Sequence, residues 1–347
     1  MTVNEMPYAS GRVFWDGEFR DGTILCEKDK IIFEEGKVGS GSSGTILPVP
    51  VNAHTHIGDA FIATEPTGDL PSVVGPGGFK ERQLANANSE LVKRGMRRAM
   101  EYMKLISSPV FIDFRESGST GVKLLRESVP ESVFPIILSR GHNREEVELA
   151  LSISDGTGIS AESDADHDLL SFSARTAKKL GKIFSIHASE NVREDMDFIL
   201  SLKPDFLVHC LEASEDDLES ISRLGIGVAV TPRSNYFYGK RPDYSKFIDQ
   251  GIDLMLGTDN SMIALPDIYA EMDFLYTVQK GVNRISPENI VRMAFHNPHK
   301  RLGNFLDQLN NLFLYFPKVA LSSYEIVKKS SLYEKKVIRI QAAEKMH

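Results

Sequence analysis

Val49-Pro-Val-Asn-Ala-His54-Thr-His56 is an apolar run that stops at a His-x-His pair. In an extended strand, side chains two apart share a face and lie about 6.5–7 Å apart along the chain, so both imidazoles can approach one metal ion. At the C-terminal end of a strand in a closed parallel barrel they would project into the mouth, where barrel enzymes do their chemistry. Taken alone, a His-x-His is a pattern that chance supplies often, and two polar histidines at a strand end account for it equally well. The decision therefore rests on how the other apolar runs end.

Three of them end in the same way: Ile183-Phe-Ser-Ile-His187, Phe206-Leu-Val-His209 and Leu254-Met-Leu-Gly-Thr-Asp259. Buried histidine and aspartate are costly unless paired or coordinated. Imidazole suits zinc, iron or nickel, and three protein ligands plus a water are the usual open catalytic zinc site. A set of such ends is far more specific than one motif. Candidate strands run over Ile46–Asn52, Val110–Phe114, Phe134–Leu138, Ile183–Ile186, Phe206–Val208, Gly227–Val230 and Leu254–Leu256, with a weaker one at Gly158-Ile159-Ser160. Helical patterns at Glu90–Ile106, Asp166–Leu180, Val192–Leu202, Glu215–Leu224 and Asp267–Lys280 alternate with them. Short apolar runs each followed by a helix signal buried parallel strands in βα units. The fold class is α/β, and eight units point to a (β/α)8 TIM barrel, with an open doubly wound sheet as the alternative.

Both chain ends read differently. Gly11–Asp16, Thr23–Cys26 and Lys30–Glu34 are short, rich in β-branched or aromatic residues and separated by turn residues, so they predict antiparallel hairpins. Gly39–Gly44 reads as a flexible connector. Beyond Asn310, Leu312–Phe316, Val319–Leu321 and Val337–Ile340 are again strand-like. The natural division is a small sheet from residues 1–48 plus 308–347, with the barrel at 49–307 between its halves. A chain of 347 residues has room for both. The tail Glu334–His347 reads as charged and solvated.

A net charge of −8 disfavours a nucleic-acid partner, which would want a basic face. The two cysteines, Cys26 and Cys210, form no disulfide framework and no zinc motif, so a cytoplasmic setting is expected. No stretch approaches the length of a membrane span, and no secretory leader is visible, so no membrane partner is expected. The expected partner is a small-molecule substrate, with a homodimer as the commonest assembly for such chains.

His54-x-His56, then His187, His209 and Asp259, each at a strand end, resembles the amidohydrolase superfamily. The likeness spans nearly the whole chain: the split strands of residues 1–48 plus 308–347 resemble the superfamily's small β-sandwich, and residues 49–307 its metal-dependent hydrolase (β/α)8 barrel. His187-Ala-Ser-Glu190 is similar to the His-x-x-Glu of the aminohydrolase branch, which holds cytosine, guanine and adenosine-type deaminases and chlorohydrolases. Thr231-Pro-Arg-Ser-Asn235 is similar to that branch's Pro-x-Ser-Asn, and Gly257-Thr-Asp259-Asn260 to its final strand. His56-Ile-Gly-Asp-Ala60 and Asp113-Phe-Arg-Glu116 resemble stretches of uncharacterised archaeal members. The resemblance implies one divalent metal per chain, zinc first and iron second, on His54, His56, His187 and Asp259. Binuclear members use a bridging lysine on strand four, and residues 155–168 contain none. The resemblance also implies roles. Asp259 accepts a proton from a water acidified by the metal. His209 orients the attacking oxygen. Glu190 carries a proton between substrate and leaving group. Placed one helical turn beyond His187, Glu190 also reads as a first-turn acid favoured by the helix dipole, which is compatible with the favoured proton-carrying role.

Weaker candidates lie in loops on the same face. The segment 57–90 is long and glycine-containing, as functional loops tend to be, and offers Phe61, Lys80 and Arg82 as substrate contacts, although a solvated role fits each singly. Ser139-Arg140-Gly-His142 follows the third strand. Arg140 has the planar fork for a carboxylate, phosphate or carbonyl oxygen, or for a structural salt bridge, and His142 is a further substrate contact. Asn235 reads as fixing its loop, Trp15 as packing in the small sheet, and His167, His296 and His299 as surface or capping residues. The implied activity is hydrolytic deamination of an amino-substituted heterocycle. Hydrolysis of a cyclic amide, N-acyl or carbon–halogen bond is the alternative, and a non-catalytic metal-binding barrel ranks last because the expected ligands are all present.

Overall fold

Eight short strands run parallel in chain order: β1 (Val51–His56), β2 (Val110–Arg115), β3 (Phe134–Ser139), β4 (Gly156–Ile159), β5 (Ile183–Ala188), β6 (Phe206–His209), β7 (Gly227–Val230) and β8 (Leu254–Leu256). These coordinates are a computed structural model that describes residues 3–36, 44–281 and 285–342. Each strand pairs in parallel with the next. The sheet closes because the chain beyond β8 continues as Asp259–Asn260, which pairs with Thr55 and His56 of β1. The barrel is thus shut at a seam made by its first and last strands.

Burial explains why these runs are strands. Every residue of β2 and β5 is buried, as expected where helices cover the outside and side chains fill the inside. The helix Ser89–Leu105 shows the outer layer. Asn88 caps it by accepting from the Leu91 N–H, and Val92, Gly95, Met96, Ala99, Met100 and Met103 form its buried stripe. Inside, the Phe114 ring lies against His54 and His187, with ring centroids 4.5 and 4.9 Å apart. It forms an apolar floor beneath the histidines.

Several expectations need correction. Ile46–Asn52 is not one strand. Gly44–Pro48 belongs to the terminal sheet and β1 starts at Val51, because Pro48 and Pro50 bracket the crossing and Pro50 has no N–H to give a ladder. Val319–Leu321 is not a strand. The Thr45 hydroxyl donates to the Val319 carbonyl and accepts from the Leu321 N–H, both at 2.8 Å, which occupies the groups a ladder would use. The helix expected from Val192 begins at Met196, where the Asp195 side chain caps it. The segment 57–90 is not simple loop, since it contains the helices Leu70–Val74 and Phe79–Asn86. The helices Gly118–Ser128 and Arg144–Ile153 complete βα units that the periodicity left blank.

The chain ends join in one seven-stranded sheet. Gly44–Pro48 lies at its centre, between Leu312–Phe316 and Tyr8–Trp15. The hairpin strands Tyr8–Trp15, Glu18–Glu27 and Lys30–Glu35 extend one side, and Lys336–Ile340 with Asn4–Met6 the other. The sheet curls around its own small core, against which Trp15 and Phe33 stack. Of the expected connector, residues 39–43 lie outside the described residues, as do residues 343–347 of the tail. Among the described residues no helix is long and apolar enough to cross a membrane.

The seam tolerates no extra atom. A Cβ on Gly257 would lie 2.7 Å from His54 Cβ and 2.9 Å from the His54 backbone N and O. Thr258 is locked to β1 by three hydrogen bonds: its N–H donates to the His54 carbonyl and to Asn52 Oδ1, and its hydroxyl accepts from Asn52 Nδ2. Overpacking of this kind costs about 1–3 kcal/mol. Gly257→Ala is therefore expected to lower the urea unfolding midpoint by that much stability. An unchanged midpoint would mean that the seam can widen freely.

Candidate metal centre

The strand ends deliver their side chains to one point. His54 and His56 come from β1, His187 from β5, His209 from the last position of β6, and Asp259 from the seam. Nε2 of His187 lies 3.2 Å from Nε2 of His54 and 3.4 Å from Nε2 of His56. Oδ1 of Asp259 lies 3.4 Å from Nε2 of His54 and 3.6 Å from Nε2 of His56. His209 joins His54 and Asp259 in a second, looser trio whose atoms lie within 4.8 Å of one another. His209 and Asp259 both have left-handed backbones, with φ of 68° and 60°. Such conformations are uncommon outside glycine and cluster at functional sites.

The donor set can be tested for a metal by following the protons. Nδ1 of His187 sits 2.7 Å from the Ile159 carbonyl, and Nδ1 of His56 sits 3.0 Å from the Phe114 carbonyl and 2.9 Å from Glu116 Oε1. All three partners are acceptors here, so each Nδ1 carries the hydrogen and each Nε2 presents a lone pair. Two lone pairs then face one another at 3.4 Å. A proton could sit between them, but burial above all, helped by the Lys80 charge, lowers the His56 pKa to about 4. Relative to an ordinary histidine that is about 3 kcal/mol against protonation. Burial, reinforced by the neighbouring imidazoles, likewise holds His187 well below its ordinary value. A metal cation resolves the clash instead. Four donors about 2.0–2.2 Å from a tetrahedral ion lie about 3.3–3.6 Å apart. The four separations given above match that spacing, so these donors suit a divalent metal ion.

A second layer of side chains holds these donors. Ser234 donates to Asp259 Oδ2 at 2.6 Å and Asn260 Nδ2 donates to Asp259 Oδ1 at 2.9 Å. Ser234 gets there on the short helix Pro232–Phe237, anchored by Arg233, whose backbone N–H and guanidinium both bind the fully buried Glu271. This accounts for Thr231-Pro-Arg-Ser-Asn235 physically. Asn235 itself accepts from the buried Tyr244 hydroxyl and holds its loop. Glu116 faces His56. Burial opposes its ionisation, but Lys80 and Arg115 outweigh this and keep its carboxyl well below the ordinary range.

Glu190 lies beside His209, with Oε2 3.5 Å from Nε2. It occupies the turn after β5 rather than a helix, so the helix-dipole explanation of this acid does not apply. Burial first, and the Asp259 charge second, push its pKa up to about 8. His209 is driven down to about 3, chiefly by burial, so it is a neutral imidazole.

Of the loop candidates, Lys80 is buried and turned into the layer behind the ligands, paired with Glu116 Oε1 at 2.5 Å. Phe61 is half-buried against the cluster beneath the helix Ser89–Leu105. Arg82 is exposed and donates to the Gly77 carbonyl. Arg140 is half-buried after β3, and His142 is exposed where the helix Arg144–Ile153 begins. His167 stacks on Phe198, and His299 bonds the Val49 carbonyl at 2.8 Å, where the chain enters the barrel. Sequence reasoning did not assign Ser234, Asn260, Glu116 or Asp59. Asp59 is fully buried, and Oδ2 has no hydrogen-bond partner among the described residues. The available signal was a cluster of charges, Asp113, Arg115 and Glu116, at the end of a strand that is otherwise apolar.

Comparison with known proteins follows the geometry. Residues 45–304 match the model of the amidohydrolase family. A protein of Archaeoglobus fulgidus with the provisional name aminohydrolase is 31% identical over 304 residues, covering 86% of this chain and 88% of that one. Among solved structures, atrazine chlorohydrolase of Arthrobacter aurescens TC1, complexed with zinc, superposes with a TM-score of 0.73 at 12% identity, covering 94% of this chain and 90% of that one. Guanine deaminase from C. acetobutylicum with bound guanine gives 0.71 at 13% identity, covering 96% and 99%.

Because ligand-orienting partners of this kind are worth about 10–100-fold in metal affinity, Ser234→Ala is expected to weaken zinc binding by that factor. Competition with a chromophoric chelator measures it. Wild-type affinity in the variant would remove Ser234 from the site.

Proposed function

The chain belongs to the amidohydrolase family and is a hydrolase of carbon–nitrogen bonds, and within that class we propose that it deaminates an amino-substituted heterocycle such as a purine, pyrimidine or pterin. The observation that carries this reading is the Glu190–His209 pair beside the donor set. We assign one divalent metal per chain to His54, His56, His187 and Asp259, with zinc first and iron second. The single count is supported by β4, Gly-Thr-Gly-Ile, which offers no lysine to bridge a second ion. When bound, such a metal makes water acidic enough to supply hydroxide near neutral pH.

The side chains divide the remaining work. Asp259 accepts the proton that the attacking water gives up. Neutral His209 donates from Nε2–H toward the oxygen as it adds to the amino-bearing carbon. Glu190, held as the carboxylic acid by its surroundings, protonates the adjacent ring nitrogen and so prepares that carbon for attack. The carbon–oxygen bond forms, Glu190 relays the proton of the new hydroxyl to the amino group, the carbon–nitrogen bond breaks and ammonia leaves, and the proton held on Asp259 restores Glu190 to the acid. The products are the oxo-heterocycle and one ammonia per water consumed. A positive ion among the ligands would draw the Glu190 pKa down from about 8 toward neutrality, where a proton shuttle works in both directions.

Four measurements test this. Glu190→Gln is expected to lose turnover by at least about a hundredfold, the lower range for a general acid–base, while retaining its metal. Full activity on the true substrate would disprove the shuttle. Chelation should abolish activity, and elemental analysis of protein purified without chelators should give one transition metal per chain; far less than one would return the barrel to a non-catalytic role. A heterocycle panel scored for ammonia should yield a substrate, whereas a carboxylate product without ammonia would assign the site to amide hydrolysis.

A further inference from the structure

Phe79–Asn86 has one buried residue, and that residue is Lys80. Glu81, Arg82, Ala85 and Asn86 face solvent and the apolar Phe79 and Leu84 are only half-buried, so no fully buried apolar stripe holds this helix to the barrel. It is docked by an ammonium group. Lys80 Nζ lies 2.5 Å from Glu116 Oε1 and donates to Asn260 Oδ1 at 3.0 Å. Both partners go on to a metal ligand. Glu116 Oε1 accepts from His56 Nδ1 at 2.9 Å, and Asn260 Nδ2 donates to Asp259 Oδ1 at 2.9 Å. His56 Nε2 and Asp259 Oδ1 stand 3.6 Å apart, so the chain of contacts closes on itself. It runs from the first strand of the barrel to the last, through one lysine supplied by the segment between β1 and β2.

Resting on the ligand assignment above, we propose that Lys80 is a positioning residue that latches the segment 57–90 across the barrel seam and sets the spacing of His56 and Asp259 around the metal. The Asn260 amide can present oxygen to Lys80 and nitrogen to Asp259 only in one orientation, which the ammonium fixes. Glu116 shares Oε1 between Lys80 and His56, so the ammonium also determines where the carboxylate waits for the imidazole. Arg115 secures the other carboxylate oxygen and pairs with Asp113 at 3.3 Å, leaving Lys80 as the member of the ring that comes from outside the strands. Removing the ammonium leaves Glu116 and Asn260 each short of a partner in a buried place. The same removal loosens the helix, because its remaining apolar residues, Phe79 and Leu84, are only half-buried.

Lys80→Met deletes the charge and keeps the apolar stem; Lys80→Arg restores a cation of different shape. Both are compared with wild type after loading with Co(II), whose visible absorption reports ligand geometry. Lys80→Met is expected to bind Co(II) about 10–100-fold more weakly, the usual effect of losing an outer-layer partner. Its spectrum should be altered and limited proteolysis within residues 63–78 faster, with Lys80→Arg lying between the two. A wild-type spectrum and affinity in Lys80→Met would overturn the latch, whatever proteolysis shows. Should Lys80→Met not fold, Lys80→Gln is read by the same two measurements and the same criterion. Wild-type protein that takes up no Co(II) would sink the ligand assignment itself, a failure distinguishable from that of the latch.

Discussion

Three imidazole nitrogens and one carboxylate oxygen crowd at the mouth of the barrel, with His187 Nε2 and Asp259 Oδ1 each 3.2–3.6 Å from the Nε2 atoms of His54 and His56. Without a cation the arrangement is unfavourable. His56 and His187, whose Nδ1 hydrogens are taken up by acceptors, turn Nε2 acceptor-first toward each other, and burial keeps protons from relieving the contact. The fold must therefore impose it. It does so by closing the barrel with a chain that passes β1 so tightly that only glycine fits at position 257, then turns Asp259 into a left-handed conformation. Strain of this kind persists only where the surroundings over-determine it. Here the surroundings are the three Asn52 and His54 bonds to Thr258.

This division explains what was legible in the sequence. A site residue at a strand end is marked twice, by a run of apolar residues and by the polar residue that stops it. His54, His56, His187, His209 and Asp259 all stood out that way, and four runs ending alike made the barrel readable as well. The layer behind them carries no such mark. Lys80 and Glu116 meet across the fold from separate segments, and neither belongs to a periodic pattern that says where it points. Ser234 was quoted within a motif, but the reason for it, a hydroxyl aimed at Asp259 Oδ2, exists only once β7 and the seam lie side by side.

The errors follow from physics that acts at a distance or at a single residue. Two prolines split the run from Ile46 to Asn52 between two sheets, although its hydrophobicity is continuous. One threonine hydroxyl consumed the backbone groups that would have made 319–321 a strand. The helix after β5 starts late because Glu194 spends its carboxylate on the backbone N–H groups of Ser189 and Glu162, tying the β4 and β5 loops together and keeping residues 189–195 out of helix.

That last detail bears on the chemistry. Had Glu190 stood in the first turn of a helix, the positive end of the helix dipole would have favoured its carboxylate and worked against its use as an acid. The Glu194 clamp removes the dipole and leaves Glu190 in a turn, where burial and the Asp259 charge favour the protonated form. Asp259 meanwhile receives hydrogen bonds from Ser234 and Asn260, which favour its charged form. Two carboxyl groups in one pocket are thus driven in opposite directions by their local partners. One is suited to accept a proton and the other to deliver one, which is the separation of roles that a hydrolytic deamination requires.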